Sequence, residues 1–270
     1  MAARALVAAF VLATATPAVA QETVDVRTRA DTAGDAYRFR SESRYVEKSA
    51  DGQASQTNSQ VFDVEILGVA PDGLRLRYTL REATLTDSSG PSMATALKAL
   101  IGVPLEFRVR SDGMVSALDN WDDYKARVLA GVDAGLAVGD PIRNIYHQRF
   151  GQHPINAAED MVLADVRLMA VMEPRGAAPV GMSDVVDNRR RPPGRALSTL
   201  SVSKPGCVIR VIRASASRTP GVVQDLTTEA EVSIPDGRIL SLTQRRADRA
   251  GGDSSEEQVT IKRLSAPPAC

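Results

Sequence analysis

Residues 61–81 read VFDVEILGVAPDGLRLRYTLR, and this stretch indicates the fold most clearly. From Leu74 to Arg81, apolar residues alternate with arginine and threonine. A period of two is typical of a β-strand that has one face in the core and the other in solvent. Pro71-Asp72-Gly73 stands directly before it and favours a tight turn. The stretch therefore predicts a β-hairpin.

Strand patterns recur toward both ends of the chain. Tyr37 to Ser43 alternates, and Leu105 to Val109 does so just before Ser111-Asp112-Gly113. A second Pro-Asp-Gly turn, at Pro235 to Gly237, predicts another hairpin. The candidate strands of the last third are Ala196–Val202, Cys207–Ala214, Leu226–Ile234, Arg238–Gln244 and Gln258–Leu264.

The middle of the chain has helical spacing. A short helix is predicted over Ser92 to Ile101, and a longer one after Asn120, which is a good N-cap residue. Asp140-Pro141 predicts the start of another helix. Asn156 followed by Glu159 resembles a capping box for a last helix that reaches Glu173. Residues 174–196 are rich in proline and glycine and are interpreted as a linker.

Together these elements predict an α+β fold. An antiparallel sheet with one wet face needs a cover for its apolar face, and the central helices are the obvious cover. We therefore expect a curved antiparallel sheet formed by the N- and C-terminal strands and covered by the central helices. The expected organisation is a signal peptide over residues 1–20 and a single α+β domain over 21–270.

The first twenty residues resemble a secretory signal peptide. Arg4 supplies a positive start, an apolar run follows, and Ala18-Val19-Ala20 has the small-x-small pattern of a cleavage site. An uncleaved anchor is the alternative, but the run is shorter than the roughly 20 residues that a spanning helix needs. The expected location is the periplasm or the medium, with no transmembrane segment after cleavage.

The charge balance argues against a nucleic-acid partner. The chain has 33 Lys and Arg against 33 Asp and Glu, and only 4% of its residues are aromatic. Electrostatic attraction to phosphates and base stacking are therefore both weak. A local basic run, Arg189, Arg190, Arg191 and Arg195, is a candidate contact for anionic headgroups. The alternative is a solvated loop, because Asp184 and Asp187 dilute its charge.

The sequence contains no motif of a known catalytic or cofactor site. Serine-hydrolase, zinc-protease, phosphate-loop and calcium-loop patterns are all missing. The two histidines, His147 and His153, lack the spacing of a helical metal pair. An acidic cluster near Trp121 is explained by helix capping. We therefore expect no catalytic residues, no cofactor and no metal, and hence no enzyme.

The order of these elements carries a resemblance. A signal peptide, the strand Val61–Val69, the Asp-Gly hairpin, the helix Ser92–Ile101 and the strand Leu105–Val109 resemble uncharacterised exported bacterial proteins. The plan is also loosely similar to periplasmic lipoprotein carriers, in which a curved antiparallel sheet wraps helices. The resemblance implies an apolar groove for a lipid-like ligand and assigns no residues.

Two functions follow as expectations. The first is a structural or interaction role in the envelope or outside the cell, with another envelope protein as partner. The alternative is a carrier or sensor of a lipophilic ligand held in a groove between sheet and helices. An enzyme without a known motif is a third reading.

We predict that Cys207 and Cys270 form a disulfide, because export leads to an oxidising compartment. The bridge would close a loop of about 64 residues and stabilise the fold by up to about 4 kcal/mol. Titration of unfolded, unreduced protein should find no free thiol. Two free thiols per chain would contradict the bridge.

Overall fold

The computed structural model describes residues 22–88, 90–187, 194–203, 207–219 and 221–269. The expected signal peptide therefore lies outside the described residues, as do Arg189, Arg190, Arg191 and Cys270. Within the described ranges the chain forms thirteen strands and five helices.

The first half of the chain contains six strands and one helix before the helical middle. Their bounds are β1 Thr23–Val26, β2 Ala36–Ser49, β3 Gly52–Ala70, β4 Gly73–Asp87, α1 Ser92–Lys98, β5 Pro104–Arg110 and β6 Val115–Leu118. The middle contains α2 Trp121–Gly135, α3 Pro141–Phe150, α4 Pro154–Met161 and α5 Ala164–Met172.

The second half is made of strands. Their bounds are β7 Gly176–Pro179, β8 Gly181–Asp187, β9 Gly194–Ser203, β10 Val208–Thr219, β11 Val222–Ser233, β12 Ile239–Ala250 and β13 Asp253–Arg263. Residues 174–196, interpreted above as a linker, therefore hold β7, β8 and the start of β9.

Eleven strands form one antiparallel sheet in the order β6-β5-β4-β3-β2-β13-β12-β11-β10-β9-β8. Each half of the chain forms a meander, and the pairing of β2 with β13 joins the two halves. Phe39 lies opposite Arg263 at one end of this pairing, and Lys48 lies opposite Ser254 at the other. The short strands β1 and β7 pair separately.

The predicted α+β class with a cover of helices is wrong. Strands account for 55% of the described residues and helices for 21%, so the protein is mostly β. Eleven strands about 4.8 Å apart extend across roughly 48 Å. The longest helix, α2, has 15 residues and is about 22 Å long. Five short helices therefore cover only part of the sheet.

The strands are longer than their apolar segments predict. The polar stretch 52–60, GQASQTNSQ, is interpreted from sequence as a loop, yet it forms the first half of β3. Its backbone pairs with β2 throughout, and from Gln56 onward it also pairs with β4. Backbone hydrogen bonds to these neighbouring strands hold the segment in place without apolar side chains.

Two details of the helices also differ from the prediction. Asn120 precedes α2, but its side chain makes no cap hydrogen bond. Instead its Oδ1 accepts from the backbone N–H of Glu106 at 2.8 Å, which ties the helix to β5. The expected last helix is two helices, α4 and α5, and the Asn156–Glu159 capping box is not formed because α4 begins at Pro154. Asp140 caps α3 as predicted, since it accepts from Ile142 N at 2.8 Å.

The inner face of the sheet is built on aromatic residues. The rings of Phe39 on β2 and Phe62 on β3 are 5.6 Å apart, and Phe62 lies 5.3 Å from Tyr78 on β4. All three are at most 4% exposed. The buried residues form one continuous cluster, with members from Val26 to Ile261 along the chain. All five helices contribute buried side chains to it.

We predict that the β4–β5 pairing does not tolerate a side chain at Gly73. A β-carbon there would overlap the carbonyl oxygen of Val109 and lie 2.9 Å from its carbon. Gly73→Ala should lower the free energy of unfolding by about 2–4 kcal/mol, because the clash is with backbone. Denaturant unfolding measures the change.

Gly68→Ala is the matched control in the same hairpin. A β-carbon at Gly68 meets nothing within 4 Å. We expect its unfolding free energy to stay within about 0.5 kcal/mol of the parent. Equal effects of the two substitutions would show that the clash does not matter.

Candidate functional site

The helix α5 lies inside the curve of the sheet, and three cavities border it. One, of about 50 Å³, separates it from β2, β3 and β4. A second, of about 560 Å³, lies between α5, α4 and the inner face of β2, β3 and β13. A third, of about 300 Å³, lies between α5, β8 and the turn after β5. Strands from opposite ends of the sheet thus reach the same helix, so the sheet curves around it.

The smallest of these cavities is apolar along most of its wall. We call it the apolar cavity. Met169 of α5 is 4% exposed and faces Phe39 and Ile66, which are 2% and 1% exposed. Its other apolar lining residues are Tyr37, Val64, Leu74, Leu76, Val109, Val166 and Ala170. The charged lining residues are Glu173, Arg175 and Arg238, which lie together at one end of the cavity.

These charged residues belong to a cluster at the C-terminal end of α5. Glu173 directly follows the helix, and its Oε2 accepts from Arg27 Nη2 at 3.1 Å and from Arg238 Nη1 at 3.0 Å. Asp31 also accepts from both arginines, at 3.2 and 2.8 Å. Two guanidinium groups and two carboxylates therefore form a closed square, which we call the charge square. Their side chains are only 6–15% exposed.

The charge square stabilises the positive charge of Arg238. Burial opposes the charge of Arg238, but the neighbouring carboxylates of Glu173 and Asp31 outweigh it and raise the pKa of Arg238. The backbone N–H of Ile239 also donates to Glu173, at 3.3 Å. The square thus fixes the end of α5 to the start of β12.

The backbone holds Arg27 in place. Its φ of 64° lies in the left-handed region, which residues other than glycine rarely adopt. Its N–H donates to Ile234 O at 2.8 Å, at the turn between β11 and β12. Its side chain passes over Gly237, where a β-carbon would overlap it. A strained backbone of this kind is retained where the surrounding structure requires it.

Arg175 stands beside the charge square and is not part of it. Its guanidinium donates to the carbonyl oxygen of Ser111 in the turn after β5. Burial lowers the pKa of Arg175, and the positive charges of Arg27 and Arg238 add to this, while Glu173 and Asp112 oppose it. Arg175 lines both the apolar cavity and the cavity beside β8.

The other end of α5 is acidic. Burial raises the pKa of Asp165, the charge of Glu257 on β13 adds to the rise, and a hydrogen bond from Ser41 opposes it. Glu159 and Asp160 line the same cavity, together with Arg149 and Arg167. The two ends of α5 therefore differ in electrostatic character.

The residues singled out from the sequence do not line the apolar cavity. Arg195, on β9, donates to Asp184 at 2.9 Å, and both side chains are well exposed. His147 pairs with Asp133 at 2.8 Å on the surface. Cys207 begins the approach to β10, and its carbonyl accepts from Ile234. Because Cys270 lies outside the described residues, the disulfide stays a prediction, as does anion contact by the arginine run.

The charge square was not predicted from the sequence. Arg27 and Asp31 lie before the first predicted strand, and Arg238 was interpreted only as the start of a strand after a turn. One signal was present in the sequence, because an arginine directly follows the Pro235-Asp236-Gly237 turn. In the structure, Asp236 of this turn is 2% exposed. Asp236 accepts from Arg263 Nη1 at 2.7 Å, so this turn is anchored in the core.

Comparisons with known proteins identify a similar fold and no family. No family model and no curated protein matches the sequence. The structure is similar to one described as "Lipid-protein interactions in lipovitellin", with a TM-score of 0.52 and 11% identity. The match covers 88% of this chain and 26% of that chain, so this protein spans about a quarter of its neighbour's length.

A second solved structure is a domain named for outer membrane lipoprotein sorting, from Vibrio parahaemolyticus. It is 11% identical and covers 86% of this chain and 87% of its own, with a TM-score of 0.17, which does not show a shared fold. Separately, none of the described helices has both the length and the apolar character needed to cross a membrane. The described residues also contain no group of three His, Cys, Asp or Glu side chains placed to hold a metal ion.

We predict that the charge square depends on Glu173. Glu173→Gln leaves two buried guanidinium groups with one carboxylate, which should cost about 3–5 kcal/mol of unfolding free energy. Glu65→Gln is the control: Glu65 pairs with Arg77 at 3.2 Å, with 39% of its side chain exposed. Its loss should cost less than about 1 kcal/mol. Equal costs in denaturant unfolding would contradict the assignment.

Proposed function

We propose that this protein is an exported, non-catalytic carrier or sensor that binds a lipophilic molecule between its curved sheet and α5. The apolar cavity is the observation that carries the proposal. Small-molecule sites are concave, mostly apolar and completed by a few polar groups. Here the polar groups are Glu173, Arg175 and Arg238, all at one end.

The packing of α5 supports this proposal. Leu168 and Val171 face the large cavity beside β13, Val166 and Met169 face the apolar cavity, and Ala170 borders the cavity beside β8. The apolar side chains of α5 thus point in several directions toward spaces that protein atoms do not fill. Unfilled space next to apolar side chains lowers the cost of moving a helix, because fewer contacts are lost.

The apolar cavity needs to widen before it can hold a ligand. Its volume of about 50 Å³ is well below the roughly 300–1,000 Å³ of typical small-molecule sites. A shift of α5 away from β2, β3 and β4 would merge it with the neighbouring spaces. Binding would then favour a conformation in which α5 has moved.

The lipovitellin comparison supports the same function by analogy. That neighbour is described by its lipid–protein interactions, and the match covers 88% of this chain. At 11% identity, however, the likeness concerns the fold, and the ligand of this protein has to be argued from its own residues.

A second candidate is a protein contact at the β8 edge of the sheet. Met182 and Val186 on β8 are 65% and 62% exposed, and Leu197 on the neighbouring strand β9 is 43% exposed. These three side chains are exposed on one face of the sheet edge, around the Asp184–Arg195 ion pair. Exposed apolar side chains mark interaction surfaces when they form extensive patches. This candidate matches an interaction role in the envelope.

We predict that the full chain binds the neutral fluorescent probe N-phenylnaphthylamine in a saturable way. Ala170→Phe places a ring where the apolar cavity meets the cavity beside β8. The variant should bind the probe at least about tenfold more weakly, because the ring occupies the ligand's space. Fluorescence titration measures both affinities.

Ala134→Phe is the matched control, because Ala134 is exposed on α2. It adds the same ring on the surface and should leave probe binding unchanged. A parent protein that does not bind the probe, or equal effects of the two substitutions, would refute a ligand site at α5.

A further inference from the structure

We propose that the ligand is an amphiphile with an anionic head group, and that Arg175 binds this head group at the mouth of the apolar cavity. This inference rests on the proposed function and adds the chemical class of the ligand. Carboxylate and phosphate share the chemistry concerned, since both accept paired hydrogen bonds from a guanidinium group.

The balance of charges leaves Arg175 as the excess cation. Arg27 and Arg238 are matched by Asp31 and Glu173 within the charge square. Arg175 adds a third guanidinium next to these two arginines and donates to a neutral carbonyl, that of Ser111. A bound anion would supply the negative charge that balances Arg175.

Unused donors point to the same place. The Nε–H groups of Arg27, Arg175 and Arg238 are buried and have no hydrogen-bond partner. Buried donors are almost always paired, and those left unpaired call for an explanation. A guanidinium presents Nε and one Nη as a fork that fits a carboxylate or a phosphate edge. An anionic head group at Arg175 would accept from such a fork.

The position of Arg175 suits an amphiphile. It lines the apolar cavity on one side. On the other side it lines the cavity beside β8, next to Asp112 and Val186, which are both exposed. A head group at Arg175 would therefore remain near solvent while its chain entered between α5 and the sheet. The alkyl chain of the ligand would not need to pass through the charge square.

The opposite end of α5 disfavours the reverse orientation. Glu159 and Asp160 line the large cavity there, and Glu257 adds a third carboxylate from β13. Even without Asp165, whose charge burial opposes, these carboxylates outnumber Arg149 and Arg167 in the same cavity. An anion would be repelled at this end, which gives the bound amphiphile one direction.

The test compares three ligands that share a ten-carbon chain: decanoate, decyl phosphate and decanol. Each displaces N-phenylnaphthylamine from the full chain, below its micellar concentration. We expect decanoate or decyl phosphate to bind about tenfold more tightly than decanol. The stronger of the two anions shows whether a carboxylate or a phosphate is preferred. Arg175→Gln should reduce anion binding to the level of decanol and leave decanol binding unchanged.

Arg218→Gln is the control for a general loss of positive charge, because Arg218 is 70% exposed near the end of β10 and lines none of the three cavities. It should preserve the preference for the anions. Equal binding of decanol and both anions by the parent protein would overturn the head-group proposal without any variant, and so would a preference that survives Arg175→Gln. If the parent does not bind the probe at all, the proposed function fails instead.

Discussion

The ring of Tyr37 contacts two arginines, and the arrangement of the whole molecule depends on this contact. The guanidinium of Arg238 is 5.4 Å from the ring centre and that of Arg263 is 4.9 Å from it. Tyr37 belongs to β2, Arg263 ends β13, and Arg238 precedes β12. Arg238 also binds Glu173 after α5, and Arg263 binds Asp236 in a pair that is at most 4% exposed. A single buried group of side chains thus joins the two halves of the sheet to the inner helix.

Local patterns predicted the local structure well and the assembly poorly. The hairpin at Pro71-Asp72-Gly73, the hairpin at residues 235–237 and the start of α3 at Asp140-Pro141 are all present, because each depends on neighbouring residues. The α+β class was wrong because polar stretches such as 52–60 form strands only when neighbouring strands pair with them. That condition is met by the assembled sheet and is invisible in a short window of sequence.

The candidate site was beyond the reach of the sequence for a related reason. Arg27 and Glu173 are 146 positions apart, and Arg238 and Asp31 are 207 apart. No spacing rule connects residues at such distances. The apolar excess in α5 was visible, since apolar residues occupy all of its positions except Asp165 and Arg167. A helix that is apolar on most sides is largely enclosed by protein, and here the curved sheet encloses it.

Amide hydrogen exchange tests most directly whether α5 is the movable wall of a ligand site. We expect the amides of residues 164–172 to exchange faster than those of β2 and β13, because cavities border the helix while the strands pair on both sides. Saturating decanoate should slow the exchange of these α5 amides. Exchange in α5 that is as slow as in the central strands, and unchanged by decanoate, would contradict the account.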